Sequence, residues 1–273
     1  MKTIFITGAS RGFGRLWTEA LLQRGDRVIA TSRNVSNFSD LKELYPETFV
    51  PVALDITNRK EVFETVKNAH SHWGSLDVVI NNAGYGVFGA TEELSEKDSK
   101  EVVNVNLFGT LWVTQAVLPF FRSQGNGHLI QLSSVLGLWA LPTLGLYSAT
   151  KFAVEGLTEA LAQEVEHFGI HLTLVEPNGY ATNFAGDSAV LSQPIPDYEP
   201  VRIALAANEG MQASATGIPE ATVPALLQLI DSENPPLRYF LGKVGLQKTK
   251  QVYAERLSEW EKYNQVAIDA HGK

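Results

Sequence analysis

Near its N-terminus the chain reads Thr7-Gly8-Ala9-Ser10-Arg11-Gly12-Phe13-Gly14. This stretch follows a β-branched run over residues 3–7, which we expect to be a buried strand, and it opens a helical pattern over 12–24. Glycines let the backbone turn tightly and approach a phosphate, whose negative charge is stabilised at the helix N-terminus. A glycine cluster alone also occurs in ordinary tight turns, but its place between a strand and a helix predicts a nucleotide-binding turn.

Short apolar strands alternate with longer helical stretches along the rest of the chain. We expect helices over about 99–122 and 148–167, and strands at residues 3–7, 27–31, 49–54, 76–80, 129–132, 171–175 and 238–241. Nearly continuous apolar strands that alternate with helices are typical of a parallel sheet covered on both faces. The prediction is one α/β domain over residues 1–273, a doubly wound, Rossmann-like, mostly parallel seven-stranded sheet.

Composition excludes several classes of function. The 273 residues are 44% hydrophobic and 19% charged, which is ordinary for a globular protein. Cysteine is absent, so disulfides, thiol nucleophiles and cysteine zinc sites are excluded. Lysine and arginine number 22 against 30 acidic residues, and the net charge of -8 disfavours a nucleic-acid partner. The six histidines form no metal-binding pattern, so we expect no metal.

One region has so few charged residues that a membrane-spanning helix has to be considered. Between Glu101 and Lys151 the single charged residue is Arg122, but polar residues and prolines interrupt the stretch and no run of 18 apolar residues occurs. The first residues lack the apolar core of a secretory signal. We therefore expect a buried core or subunit interface, no membrane partner and a cytoplasmic location.

Four further blocks follow the glycine-rich turn in chain order: Asn81-Asn82-Ala83-Gly84, Val105-Asn106-Leu107, Ser134 and Tyr147-Ser148-Ala149-Thr150-Lys151. Together with the spacing Gly-x3-Gly-x-Gly, they resemble the compact single-domain branch of the short-chain dehydrogenase/reductase (SDR) family. The resemblance covers residues 3 to about 182, and the combination is specific although no single block is. It implies a nicotinamide cofactor and interconversion of a carbonyl group and an alcohol.

The end of the second strand, Thr31-Ser32-Arg33, bears on the choice of cofactor. Nicotinamide enzymes that prefer NAD usually place an acidic residue there to bind the ribose 2′-hydroxyl, whereas an arginine accommodates a 2′-phosphate. No acid is present, and Arg33 and Arg11 are both candidates to bind the phosphate. NADP(H) is therefore the predicted cofactor. The alternative is that both arginines are ordinary solvated surface residues.

The resemblance implies the other cofactor contacts. Asp55 corresponds to the adenine contact and Thr182 to the carboxamide contact, while Asn178 replaces the first glycine of the family's Pro-Gly. Asparagine is the residue next best able to take positive φ, so we expect the turn to survive. Asp55 as a helix N-cap and residues 82–84 as a structural turn remain alternatives. The predicted cofactor-binding set is Gly8, Ser10, Arg11, Gly12, Phe13, Gly14, Arg33, Asp55, Ile56, Asn82, Ala83, Gly84, Tyr147, Lys151, Pro177 and Thr182.

Four residues are predicted to be catalytic: Asn106, Ser134, Tyr147 and Lys151. Tyr147 and Lys151 are four apart at the start of a helix and share a face. An ammonium about 4 Å from a phenol lowers the phenol pKa by up to about three units, toward neutral pH. Ser134, at the end of the fifth strand, would donate to the substrate oxygen; Ser133 competes, and family spacing favours Ser134. The resemblance gives Asn106 a water that links Lys151 to solvent, and a satisfied core amide is the alternative.

Bulky apolar residues lie near the predicted site, and they indicate a hydrophobic ketone or aldehyde. The predicted substrate-binding set is Ser134, Trp139, Leu141, Leu144, Tyr147, Tyr180 and Phe184. The predicted function is NADPH-dependent reduction of such a carbonyl to an alcohol, with the reverse oxidation also possible. Two alternatives stay open: a non-catalytic NADP-binding sensor and a nucleotide-sugar epimerase or dehydratase.

Two expectations concern larger segments. Residues about 185–216 contain prolines and glycines that discourage a long helix, and we predict that they form a mobile lid over the substrate; a permanently packed surface loop is the alternative. The uncharged stretch Val102–Phe121 cannot be covered on all sides by one sheet, so we expect a homodimer or homotetramer.

Overall fold

The computed structural model describes residues 1–186, 188–212 and 216–272, with the backbone alone at 185 and 208–212. Its strands are β1 (Thr3–Ile6), β2 (Arg27–Ser32), β3 (Phe49–Ala53), β4 (Val78–Asn81), β5 (Val87–Phe88), β6 (Gly127–Leu132), β7 (Ile170–Pro177), β8 (Val190–Leu191) and β9 (Arg238–Leu241). Seven of them form one parallel sheet in the order β3-β2-β1-β4-β6-β7-β9, and β5 pairs with β8 separately. This confirms the predicted doubly wound sheet.

The helices are α1 (Gly12–Arg24), α2 (Ser39–Leu44), α3 (Arg59–Trp73), α4 (Glu96–Val103), α5 (Thr110–Gln124), α6 (Gly145–Glu164), α7 (Glu199–Gln212), α8 (Thr222–Asp231), α9 (Gly245–Lys262) and α10 (Asn264–Ala270). A π-helical turn, Asn104–Gly109, joins α4 to α5. Helix α6 begins three residues before the predicted start at 148, which places Tyr147 in its first turn.

The sheet has a hydrophobic core on each face, because alternate residues of a strand point to opposite sides. On β1, Ile4 and Ile6 pack into the cluster that contains Trp17 of α1, whereas Phe5 packs into the cluster that contains Val66 of α3 and Phe121 of α5. All six side chains are fully buried. The carboxyl ends of the strands are thereby held at one edge of the sheet, where the predicted site residues lie.

The segment 185–216 differs from its prediction. Helix α7 spans 14 residues within it, so the expectation that prolines and glycines discourage a long helix is wrong. Pro200 is the second residue of α7, where a missing N–H breaks no intrahelical hydrogen bond. Residues 187 and 213–215 of the predicted lid lie outside the described residues.

Asn178 also differs from its prediction. Among the described non-glycine residues, positive φ occurs at Thr143 alone, so Asn178 does not use the left-handed conformation. Its backbone N–H instead donates to the carbonyl oxygen of Leu241 at 3.0 Å, and this bond prolongs the pairing of β7 with β9. Its side chain lies against Gly242, whose φ of +105° leaves no room for a Cβ. Asn178 therefore keeps a negative φ and continues the hydrogen bonding between β7 and β9, instead of forming a turn with positive φ.

One continuous helical stretch, Glu96–Gln124, is long and apolar enough to cross a membrane by length and composition. This is weak evidence for a span, because the core helices of soluble proteins pass the same test. In this fold the stretch packs on β4 and β6 through residues such as Val113, Val117 and Phe121, which are fully buried.

Candidate active site

The glycine-rich turn is shaped by glycines that no other residue replaces. A Cβ on Gly8 would lie 2.7 Å from the Cα of Ala83, and one on Gly14 would lie 2.5 Å from the carbonyl oxygen of Gly8. Gly8 and Gly12 also have positive φ, 64° and 55°. The turn is therefore a bare backbone cradle that opens onto the N-terminus of α1, which is the shape that a pyrophosphate requires.

Asn82 and Thr7 fix this cradle to the end of β4. The side-chain amide of Asn82 donates to the carbonyl oxygens of Thr7 and Gly8, both at 2.9 Å. The Thr7 hydroxyl accepts the backbone N–H groups of Asn82 and Ala83 at 3.1 Å each. Asn82, for which the resemblance implies a ribose contact, is thus also the residue that holds the glycine turn in place.

A cleft of about 780 Å³ runs from the cradle along the carboxyl edge of the sheet. It brings together most of the predicted cofactor set: Gly8, Ser10, Arg11, Gly12, Phe13, Arg33, Asp55, Ile56, Asn82, Ala83, Gly84 and Thr182. Pro177, by contrast, is buried at the end of β7 opposite Leu241. Asp55 forms its own turn by accepting the N–H of Thr57 at 2.9 Å, while the N-cap of α3 is Asn58.

The residues of this cleft fit a dinucleotide with a phosphate on the ribose. Arg11 and Arg33 are exposed at its wall, and neither forms an ion pair within the described part of the chain. Sequence reasoning missed Glu101 and Asn104, which line the same cleft. Nothing in the local sequence indicated these two residues, because the face that a helix turns toward a cleft depends on how the helix packs in the fold.

Ser134, Tyr147 and Lys151 meet beyond the cradle, and each is at most 7% exposed. Lys151 donates from Nζ to the carbonyl oxygen of Leu132 at 2.6 Å, and Nζ lies 5.7 Å from the centre of the Tyr147 ring. The Ser134 hydroxyl accepts the N–H of Leu136 at 3.1 Å and also forms a hydrogen bond with the side chain of Tyr147. The structure therefore brings together three of the four predicted catalytic side chains.

Burial governs the ionisation of these groups. It raises the pKa of Tyr147 above its ordinary value, and the hydrogen bond with Ser134 only partly opposes this. It also lowers the pKa of Lys151 to about 8, although the charge of Glu155 acts in the opposite direction. The predicted lowering of the tyrosine pKa is therefore absent in this structure, because desolvation of the phenolate outweighs its neighbours. Tyr147 is a protonated acid at neutral pH.

Asn106 lies in the π-helical turn, beside Lys151. Its Oδ1 accepts the N–H of Tyr85 at 3.0 Å, and its Nδ2 donates to the carbonyl oxygen of Tyr85 at 2.9 Å and to the Thr150 hydroxyl at 3.2 Å. A Cβ on Gly84 would come within 3.2 Å of Oδ1 and 3.8 Å of Lys151 Nζ. The side-chain amide is thus satisfied by its neighbours, as in the alternative interpretation, and it lies near Lys151; the water that would link the lysine to solvent stays a prediction.

A cluster of apolar side chains packs around Tyr147. The residues packed against its cluster include four of the predicted substrate set, Trp139, Leu141, Leu144 and Phe184. The ring of Phe184 lies 5.0 Å from that of Tyr147. Tyr180 does not join them: its ring packs edge-on against Phe13 at 5.1 Å, on the cofactor side. The backbone of Tyr180 forms a β-bridge with Gly217, and a Cβ on Gly217 would lie 2.3 Å from the Tyr180 ring.

Comparisons with known proteins place this site in a family. Residues 2–189 match the family model of short chain dehydrogenases. The chain belongs to this family, and it is an oxidoreductase. It is 40% identical to Oxidoreductase BOA17 of Botryotinia fuckeliana (strain B05.10), over 88% of this chain and 89% of that protein.

Two solved structures are similar as well. A short-chain dehydrogenase from Streptomyces avermitilis has a TM-score of 0.88 at 32% identity, covering 98% of this chain and 99% of that one. A short chain dehydrogenase from Burkholderia cenocepacia J2315, in complex with NADP, has a TM-score of 0.75 at 25% identity and covers 96% of both chains. These neighbours support a nicotinamide cofactor for this protein.

Proposed function

We propose that the protein is an NADPH-dependent reductase of hydrophobic ketones or aldehydes. The observation that carries this proposal is the meeting of Ser134, Tyr147 and Lys151, all buried, beside an apolar cluster whose Phe184 also lines the cleft that begins at the glycine cradle. A nicotinamide cofactor supplies a hydride when bound, which leaves the protein to supply a proton and to orient the carbonyl. The buried hydroxyl groups of the site are suited to both tasks.

Each side chain has a separate role in this proposal. Tyr147 donates its phenolic proton to the carbonyl oxygen as that oxygen gains negative charge. Ser134 donates a hydrogen bond to the same oxygen, and the N–H of Leu136, which its hydroxyl accepts, holds that hydroxyl in place. Lys151 stabilises the tyrosinate that remains, and its attachment to the Leu132 carbonyl fixes its position.

The preference for NADPH follows from the charge at the cleft wall. Ser32 occupies the place where an acid would select NAD, and the exposed guanidinium of Arg33 is next to it. Arg11, at the start of α1, supplies a second positive charge. The NADP complex of the Burkholderia cenocepacia neighbour supports the same cofactor.

The test is turnover of a panel of alkyl and aryl ketones with NADPH and with NADH, followed by loss of the reduced-nicotinamide absorbance. We expect reduction of hydrophobic members of the panel, faster with NADPH. Tight NADPH binding without turnover of any ketone or aldehyde would indicate the sensor alternative. Conversion of nucleotide sugars without net loss of NADPH would indicate the epimerase alternative.

A further inference from the structure

Two glutamates are buried behind the lysine of the proposed site. Glu155 follows Lys151 by one turn of α6 and is 5% exposed, and Glu176 lies on β7 and is fully buried. Glutamate is almost never buried to this extent without a charge partner. The mechanism proposed above makes no use of either carboxyl group.

A single arginine faces both carboxyl groups. The Nε of Arg238, on β9, lies 3.3 Å from Oε2 of Glu155 and 3.6 Å from Oε1 of Glu176. The same guanidinium also donates to the exposed Glu159 at 2.6 Å, and its side chain is 35% exposed. Its charge is therefore shared among three carboxyl groups and partly solvated, so it cannot balance two buried carboxylates.

Glu155 is also in contact with the loop that carries Ser134. A Cβ on Gly137 would lie 2.9 Å from the Cγ of Glu155, 2.9 Å from the Ser133 hydroxyl and 3.2 Å from the carbonyl oxygen of Lys151. Gly137 therefore lets the loop lie directly on α6 at this point. The glutamate and the lysine are coupled through one turn of helix and through this shared loop.

We propose that Glu155 and Glu176 hold one proton between them, and that Glu155 is a positioning residue whose negative charge keeps Lys151 protonated. The inference rests on the proposed function, since it concerns the lysine of that site. The charged groups that face the pair in the described structure are Lys151 and Glu159 from α6 and Arg238 from β9. Ser133, after β6, faces it with a neutral hydroxyl.

The ionisation of these groups supports a shared proton. Burial and the charge of Glu155 raise the pKa of Glu176 to about 8, and burial raises the pKa of Glu155 as well. Because both carboxyl groups favour the neutral form and the charge of one raises the pKa of the other, the pair holds one proton at neutral pH and keeps one negative charge. That charge acts to raise the pKa of Lys151, against the lowering by burial.

The first test is the pH profile of kcat/KM for Glu155→Gln. The matched control is Glu159→Gln, because Glu159 lies on the same helix and also pairs with Arg238. We expect Glu155→Gln to move the alkaline limb, which reports the deprotonation of Lys151, to lower pH by about one unit, because the negative charge of Glu155 raises the pKa of the lysine. Glu159→Gln should leave the limb in place. A merely structural role for Glu155 would lower activity at every pH without moving the limb, and that result would overturn the proposal.

The second test needs no turnover, so it remains decisive if no ketone is reduced. A glutamate with a raised folded-state pKa contributes stability that is full below its unfolded pKa, near 4.5, and is lost as pH rises through about 8. Glutamine cannot titrate. The unfolding constant of the wild type, relative to that of Glu176→Gln, should therefore rise by up to about tenfold per pH unit between pH 5 and 8. A ratio of the two unfolding constants that does not change with pH would overturn the proposal that the two glutamates share a proton.

Discussion

At the scale of single residues, Tyr147 shows how burial determines chemistry. Its ring is packed among apolar residues and its hydroxyl faces Ser134, so the phenol holds its proton more firmly than it does in water. For the proposed reduction this is the useful state, since the group has to arrive at the carbonyl as an acid. The lysine beside it then stabilises the tyrosinate that forms.

Replacing Tyr147 with phenylalanine keeps the ring and removes the proton. We expect Tyr147→Phe to lose at least about 10²–10⁴-fold in turnover, the usual contribution of general acid catalysis. NADPH binding, measured by fluorescence titration, should be unchanged. Tyr263→Phe, at the exposed residue between α9 and α10, is the matched control. More than a tenth of wild-type activity in Tyr147→Phe would mean that another group is the acid.

Arg33 is the residue on which cofactor choice depends. A charge-assisted hydrogen bond to the 2′-phosphate is worth about 1.5–3 kcal/mol, so Arg33→Ala should weaken NADPH binding about 10- to 100-fold. NADH binding should barely change. Arg27→Ala, at the opposite end of the same strand, should affect neither cofactor. Equal losses for both cofactors, measured by titration, would show that Arg33 does not bind the phosphate.

At the scale of elements, the predicted lid is attached to the domain through Glu93. The carboxylate of Glu93 accepts the N–H of Ala90 and the N–H of Ile195, each at 2.7 Å, and pairs with Arg202 of α7 at 2.8 Å. The short pairing of β5 with β8 lies alongside. These contacts fix the middle of the segment, so any opening has to disrupt them.

This attachment leads to a hydrogen-exchange prediction for residues 188–206. Glu93→Gln removes the charge from the hydrogen bonds with three partners, Ala90, Ile195 and Arg202, and charge-assisted bonds are roughly twice as strong as neutral ones. We expect faster amide exchange in this segment, whereas Glu92→Gln, which loses only the exposed contact with Tyr198, should leave it unchanged. In the wild type, NADPH with a slowly reduced ketone should increase protection there. Protection that ligands do not change would identify a permanently packed loop instead.

At the scale of the whole molecule, an aromatic surface is left uncovered. Phe108, stacked on Trp112 at 5.7 Å, and Phe152 of α6 are 39% and 37% exposed. The two helical stretches that carry them are adjacent, because Asn106 of one donates to Thr150 of the other. We propose that this surface is the interface of the expected homodimer or homotetramer.

Light scattering tests the proposed interface. The wild type should have a mass of two or four times the 29.9 kDa chain at micromolar concentration. Phe108→Glu should shift the protein toward the single chain, because an ionised carboxylate is costly to bury without a partner. Phe168→Glu is the control at an equally exposed phenylalanine away from these helices. A wild-type mass near that of one chain would contradict the proposal.

The sequence by itself determined the sheet, the glycine cradle and the pairing of Tyr147 with Lys151. These features depend on local order: alternating apolar runs, a turn that only glycine permits, and a spacing of four on one helix. The helix α7 was not predicted, because Pro200 was counted against a helix. A proline in the first turn of a helix does not break it.

Only the tertiary structure decided which distant residues share one environment. Glu155, Glu176 and Arg238 come from α6, β7 and β9, and nothing in their local sequence indicates that the sheet buries two carboxyl groups around one arginine. The same holds for Tyr180, which packs on Phe13 rather than beside Tyr147. Burial and charge pairing depend on which segments pack together, and desolvation then sets the pKa of Tyr147, Lys151 and Glu176.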